Sequence, residues 1–312
     1  MISEEDITQK ASELGYDDVG ITQAQVPEED ITAYRDWLSK GYHGDLHYME
    51  KEIRCTPDVL LPGAKTAIIF VSYYKQPKVP FVPGKGVIAS YARGRDYHNV
   101  HRSRLKKFIR WLEETSGQMG IAKGFSDSTP ILEKALAVQA GLGWFGKNTL
   151  LIHRRFGTFT LLSGCLTTLE FSHAITPAHL PRCGSCTRCL DACPTKALIA
   201  PYTLDAAKCL SNHLIESKAP LPKTVKAQNP GYAFGCDICQ DVCPHNTRKP
   251  LSTTPDFSPD QGFGPYLTPE TLTSLEEDPT KLHGTPLKRR GLPGLKLNLT
   301  GTEFSSSLSD ET

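Results

Sequence analysis

The chain has 312 residues, enough for about two domains of ordinary size with a sizeable buried core. Its 35 basic and 34 acidic side chains leave a net charge of +1, so no global field draws it to nucleic acid or membrane. Charged residues at 22% and hydrophobic ones at 39% exclude wholesale disorder.

The start, Met1-Ile2-Ser3-Glu4-Glu5-Asp6, is acidic and lacks the basic and apolar regions of a signal peptide, so a cytoplasmic protein is expected. Ser3 with Asp6 marks a helix start, and Ile7, Ala11 and Leu14 repeat at helical spacing before Gly15 ends the run. Val19-Gly20-Ile21 reads as a short strand and Lys65 to Tyr74 as a buried one. The apolar part of that stretch falls far short of the ~18 residues of a spanning helix, so no membrane partner is expected. A long helix is predicted from Tyr97 to Thr115, with Val100, Leu105, Phe108, Ile109 and Leu112 inward and Arg102, Lys106, Lys107 and Arg110 outward. Another is predicted from Pro130 through Leu132, Ala135, Leu136 and Val138 to Gly141, and Thr158 to Leu169 reads as one or two strands. Gly141-Leu142-Gly143-Trp144-Phe145-Gly146 has dinucleotide-motif spacing but follows a predicted helix, so it reads as a tight turn. Asp96-x-His98 matches part of a cobalamin-ligating motif without its glycine and reads by itself as a polar helix start. Ser305 to Asp310 reads as a disordered tail.

Ten cysteines stand out, eight of them between Cys183 and Cys243. Clustered thiols in a long, non-secreted chain point to metal ligation rather than disulfides. Cys183-x2-Cys186-x2-Cys189-x3-Cys193-Pro194 is a complete bacterial ferredoxin run, in which three cysteines hold one cubane and the fourth serves the other cluster. Cys236-x2-Cys239-x3-Cys243-Pro244 supplies the last three positions of a second run; Ala233 occupies the first, and Cys209 is the thiol left to replace it. Exchange then gives Cys183, Cys186, Cys189 and Cys243 to one 4Fe–4S cluster, and Cys193, Cys209, Cys236 and Cys239 to the other. Two four-cysteine zinc sites are the bland alternative. Cys55 and Cys165 read as small buried residues.

Several segments together resemble the epoxyqueuosine reductases: Gly41-Tyr42-His43-Gly44, Leu60-Leu61-Pro62-Gly63, Tyr91-Ala92-Arg93-Gly94-Arg95-Asp96-Tyr97-His98, Asp127 to Lys134, and Gly141 to Leu150. The double ferredoxin pattern and Pro201-Tyr202-Thr203-Leu204-Asp205 follow in the family's order. The match runs over roughly residues 5–250 and weakens after Pro250.

The resemblance implies an α+β fold: a nitroreductase-like and reductive-dehalogenase-like cobalamin-binding domain over residues 1–175, a two-cluster ferredoxin-like module over 176–250, and an extension over 251–312 whose tail is disordered. It implies reduction of epoxyqueuosine to queuosine at the tRNA wobble position, with two 4Fe–4S clusters and cobalamin as cofactors. The partners are then tRNA and an external low-potential electron donor, and the chain is expected to be a monomer. Asp127 takes the family's proton-donor position, against a helix-cap reading three residues before Pro130; a general acid there needs a pKa raised by burial against the corrin and substrate. Arg54, Tyr91, Arg95, Tyr97, His98, Lys147, Asn148 and Ser211 are the implied cobalamin or substrate contacts. Basic residues at 208–249 and 281–296 are candidate tRNA surfaces. A small-molecule cobalamin reductase and a plain electron-transfer protein are the alternatives in function.

Overall fold

The computed structural model describes residues 2–171 and 182–300. Helix α1 (Glu4–Glu13) opens on a reciprocal cap, the Ser3 hydroxyl accepting the Asp6 amide and the Asp6 carboxylate accepting the Ser3 amide. Gly15, at φ +83°, turns the chain into β1 (Asp18–Gln23). Next come α2 (Glu28–Ser39), β2 (Thr66–Tyr73), β3 (Gly86–Ile88), α3 (Tyr97–Ser116), β4 (Ala122–Phe125) and α4 (Glu133–Gln139). The hairpin of β5 (Gly143–Phe145) and β6 (Leu151–His153) then leads into β7 (Thr160–Thr167).

Four of these strands form an antiparallel sheet in the order β1-β2-β7-β4. Strand side chains alternate between faces, so Ala67, Ile69 and Val71 of β2 pack with Ala135 and Leu136 of α4. Ile68 and Phe70 face the other way, onto Ile7 of α1 and Leu105, Phe108 and Leu112 of α3. All eight residues of β2 are buried, which is why this strand reads as an unbroken apolar run. Complete burial of a side chain such as Phe108 stabilises by roughly 1.5–3 kcal/mol. Gly164 in β7 leaves room for the Phe125 ring: a Cβ there would stand 2.1 Å from Phe125 Cζ.

Helix α3 follows the sequence reading closely, but α4 begins at Glu133 rather than Pro130. Residues 126–129 form a turn with Asp127 at φ +41°, which no helix can absorb. The Gly141–Gly146 segment enters β5, and no helix follows it to make a dinucleotide site.

The cysteine-rich stretch carries α5 (Arg188–Ala192), β8 (Leu198–Ala200), β9 (Thr203–Leu204), α6 (Leu210–Ile215), α7 (Lys223–Gln228), β10 (Tyr232–Phe234), α8 (Ile238–Asp241) and α9 (Pro244–Thr247). Beyond it lie β11 (Tyr266–Leu267), α10 (Pro269–Glu277) and α11 (Gly291–Thr300). A second sheet, in the order β10-β3-β11, takes one strand from each of the three expected segments. Its core joins Ile88 with Phe234, Leu267, Leu275, Leu287 and Leu295. The 251–300 stretch is therefore structural, because its leucines cover apolar surface of both preceding segments. The expected boundary at residue 175 and the expected tail lie outside the described residues. No helix among the described residues is long and apolar enough to cross a membrane.

Candidate active site

Helix α3 and the turn before α4 converge on Asp127. Asp96 caps α3 by accepting the His98 amide at 3.0 Å, which fixes Tyr97 and His98 in the first turn. Asp127 sits in a left-handed conformation rare for a residue with a side chain, and the Glu133 carboxyl steadies it by accepting its amide at 2.6 Å. The Tyr97 hydroxyl and His98 Nε2 both reach Asp127 Oδ2 at 2.9 Å. His98 Nδ1 lies 2.8 Å from Asp96 Oδ1, so the imidazole bridges two carboxylates. His101, buried one turn along α3, links Ser72 of β2 at 3.1 Å to Ser126 at 3.3 Å and so ties the turn to the sheet. The Asp127 side chain remains 59% exposed and open to a ligand.

Burial opposes an imidazolium at His98, but hydrogen bonds and charge from Asp127 and Asp96 outweigh it and push the pKa up to about 9. Burial by itself would raise Asp127; the bond and charge of His98 overcome it and hold the carboxyl below its ordinary value. The protein's own groups therefore lower Asp127, and the elevation expected from burial against corrin and substrate is not supplied by them. At neutral pH the pair's proton resides on His98. Glu133 is pushed up to about 8 by burial and by the Asp127 charge, so at pH 7 it is mostly neutral. The cap reading fails as well, since α4 starts after Leu132 with no side-chain cap.

The thiols fall into two neighbourhoods. Helices α5 and α8 pack together and carry Cys189 and Cys239. Burial, and then the thiols of Cys183, Cys189 and Cys186, push Cys243 up to about 11. Burial also raises Cys239, whose thiol neighbours are Cys236, Cys209 and Cys193. None of the eight is in a disulfide. Backbone amides approach the sulfurs, including the Ala197 amide at 3.3 Å from Cys193 Sγ. Cys55 and Cys165 are buried, as their isolation in the sequence suggested.

Tyr97 and His98 touch Asp127, the Asp127 charge reaches Tyr91, and Arg54 acts on Glu133. Tyr91 packs against Tyr97 and Phe234, and Arg54 lies 5.7 Å over the Tyr48 ring. The other expected contacts are engaged elsewhere. Arg95 pairs with Asp256 at 2.8 Å; Lys147 donates to the carbonyls of Gly184 and Cys186; Asn148 donates to that of Cys239. Ser211 directs its amide at Cys209. Sequence reasoning missed Tyr48, Glu133 and Arg289, whose guanidinium stacks 5.9 Å over Tyr48 while bonded to Glu216 at 3.0 Å. Glu133 opens an apolar helix, a detectable signal; Arg289 lay in the basic run at 281–296, but nothing local marks its arrival beside Tyr48 from the far end of the chain.

A family model described as epoxyqueuosine reductase QueG, DUF1730, matches residues 54–128, and one described as a 4Fe-4S double cluster binding domain matches 182–246. The epoxyqueuosine reductase of Leadbetterella byssophila is 37% identical over 292 residues, 93% of this chain and 94% of that one. The chain belongs to the epoxyqueuosine reductase family. Another member, from Cyclobacterium marinum, is 40% identical over 77% of this chain and 78% of its own. A crystal structure of epoxyqueuosine reductase with an epoxyqueuosine-modified tRNA-Tyr stem loop aligns at a TM-score of 0.82 and 28% identity, covering 96% of this chain and 80% of that one. A Bacillus subtilis epoxyqueuosine reductase whose aspartate catalytic loop is swung out of the active site aligns at 0.83 and 27% identity, with the same coverage. The double-cluster match covers all eight grouped cysteines, and the α+β class expected from the sequence is that of these family structures.

Proposed function

We propose that this chain reduces the epoxide of epoxyqueuosine in tRNA to queuosine, drawing electrons from an external low-potential donor through two 4Fe–4S clusters to cobalamin. The observation that carries this reading is the Tyr97–His98–Asp127 constellation, an accessible carboxylate whose bonded imidazole holds a proton. The reaction takes up two electrons and two protons, breaks both epoxide C–O bonds, leaves a C=C bond and releases water. Cys183, Cys186, Cys189 and Cys243 hold one cluster, and Cys193, Cys209, Cys236 and Cys239 the other. Their fit is supported by Trp144, which is buried against Cys243 and Cys183 with its indole N–H unpartnered among the described residues, a donor suited to cluster sulfide.

The rings of Tyr48, Tyr91 and Tyr97, with the Arg54 guanidinium, suit a broad macrocycle carrying amides, and these residues would hold cobalamin. When bound, it supplies a cobalt centre that two electrons make nucleophilic toward an epoxide carbon. Tyr97 orients Asp127 by donating to Oδ2. As the epoxide oxygen develops charge, Asp127 takes the His98 proton and passes it on, and a second proton entering through the same pair completes water.

Protein reconstituted without oxygen is expected to carry about eight irons and one cobalamin per chain, and to convert an epoxyqueuosine-bearing stem loop under strong reductant. About two zincs without sulfide, or no conversion by the loaded protein, would sink this reading. The pH profile is a second check. Folding raises His98, so its pairing with Asp127 is complete below its ordinary 6.5 and is lost as pH rises through about 9. Single-turnover conversion is therefore expected to decline with a midpoint near 9, a limb that His98→Gln should abolish. A rate unchanged to pH 10 would exclude His98 as the proton's holder.

A further inference from the structure

A groove of about 540 Å³ runs from His98, beside Asp127, along α3 and against β4. Arg102, Lys106 and Arg110 line one side in a single row at i, i+4 and i+8; Lys123 of β4 stands opposite, and all four are exposed. At 1.5 Å rise per residue, the row places a cation about every 6 Å. Its floor is apolar, with Leu105, Ile109 and Phe125. Three like charges at this spacing weaken an isolated helix, so helix stability does not explain them.

Three of these cations, Lys106, Arg110 and Lys123, make no ion pair among the described residues. Arg102 donates only to Asn99, at 3.3 Å, and acts on the Asp96 carboxylate only through space. Glu113, the one acid in the groove lining, accepts the Gly120 amide at 2.7 Å and makes no ion pair with the row among the described residues. In the two basic stretches expected from the sequence, Lys208 pairs with Asp205, Arg289 with Glu216 and Lys296 with Glu276.

Building on the proposed tRNA reaction, we infer that this groove seats the phosphate backbone of the RNA strand flanking the modified nucleoside. A nucleoside turned out of its stack toward Asp127 leaves its neighbouring phosphates at the mouth of the groove, and the cation row then follows the strand. Such contacts position the RNA without reading its sequence, and they make binding salt-dependent through counterion release.

The test uses the chain loaded with both clusters and cobalamin, and an epoxyqueuosine-bearing stem loop. Lys106→Gln, Arg110→Gln and Lys123→Gln combined should weaken binding at least tenfold at low salt. The log–log salt slope should fall by about 2. Iron content and the single-turnover rate at saturating RNA should not change, because none of the three touches Asp127 or the cysteines. Lys106→Arg with Lys123→Arg should retain wild-type affinity. Unchanged affinity and slope in the Gln variant, with the wild-type chain converting its substrate, would overturn the groove assignment. So would a variant that binds RNA normally but accepts electrons slowly from an acidic donor protein. Failure of the wild-type chain to convert the stem loop would instead remove the proposed reaction.

Discussion

Asp127→Asn is expected to slow single-turnover epoxide reduction by roughly 10²–10⁴-fold, the usual worth of general acid catalysis, while iron content, cobalamin binding and RNA affinity stay near wild type. Asn matches Asp in size, tolerates the left-handed backbone at φ +41°, and keeps the backbone amide that Glu133 receives. What it lacks is the means to take a proton from His98 and hand it to oxygen. A second readout separates this role from a merely structural one. Much of the elevation of His98 comes from Asp127, so in the Asn variant its titration should move from about 9 back toward 6.5. Following the His98 ring by NMR measures this directly. Near-normal turnover with the cobalamin already reduced would rule out Asp127 as the essential proton donor.

Cys243→Ser and Cys193→Ser are each expected to disable one cluster and to abolish steady-state turnover. The cluster lost should be the one held by the other cysteine run. Serine offers a hard oxygen where soft thiolate is needed. Cys243 lies among the thiols of Cys183, Cys186 and Cys189, and Cys193 beside those of Cys209, Cys236 and Cys239. Cys243→Ser should therefore share the electron paramagnetic signature of Cys186→Ser, and Cys193→Ser that of Cys236→Ser. Chemically prereduced cobalamin should restore one turnover in all four variants, because the acid at Asp127 is untouched. If Cys243→Ser instead matched Cys236→Ser, the exchanged ligand sets would be wrong.

Some of this molecule was legible without coordinates. Local rules governed α1, whose cap residues are three apart, and α3, whose apolar period held from Tyr97 to Leu112, about four turns. The buried strand β2 was legible because both its faces meet helices. The cysteine runs between Cys183 and Cys243 were legible because cluster geometry demands fixed short spacings. His101 was not, since a polar residue on an apolar face is invisible until its partners Ser72 and Ser126 are in place.

Residue types and spacing determined the thiol grouping and the family to which the chain belongs, and that resemblance in turn implied the α+β class. Tertiary structure alone decided the charge state of Asp127 and where free cations lie. A pKa is set by groups within a few ångströms, and here they come from residues 29 and 30 positions upstream. The same holds for surface charge: Arg289 pairs with Glu216, 73 residues away, while Lys106 and Arg110 of the α3 row make no ion pair among the described residues. Such electrostatics depend on distance through space, which chain order does not encode.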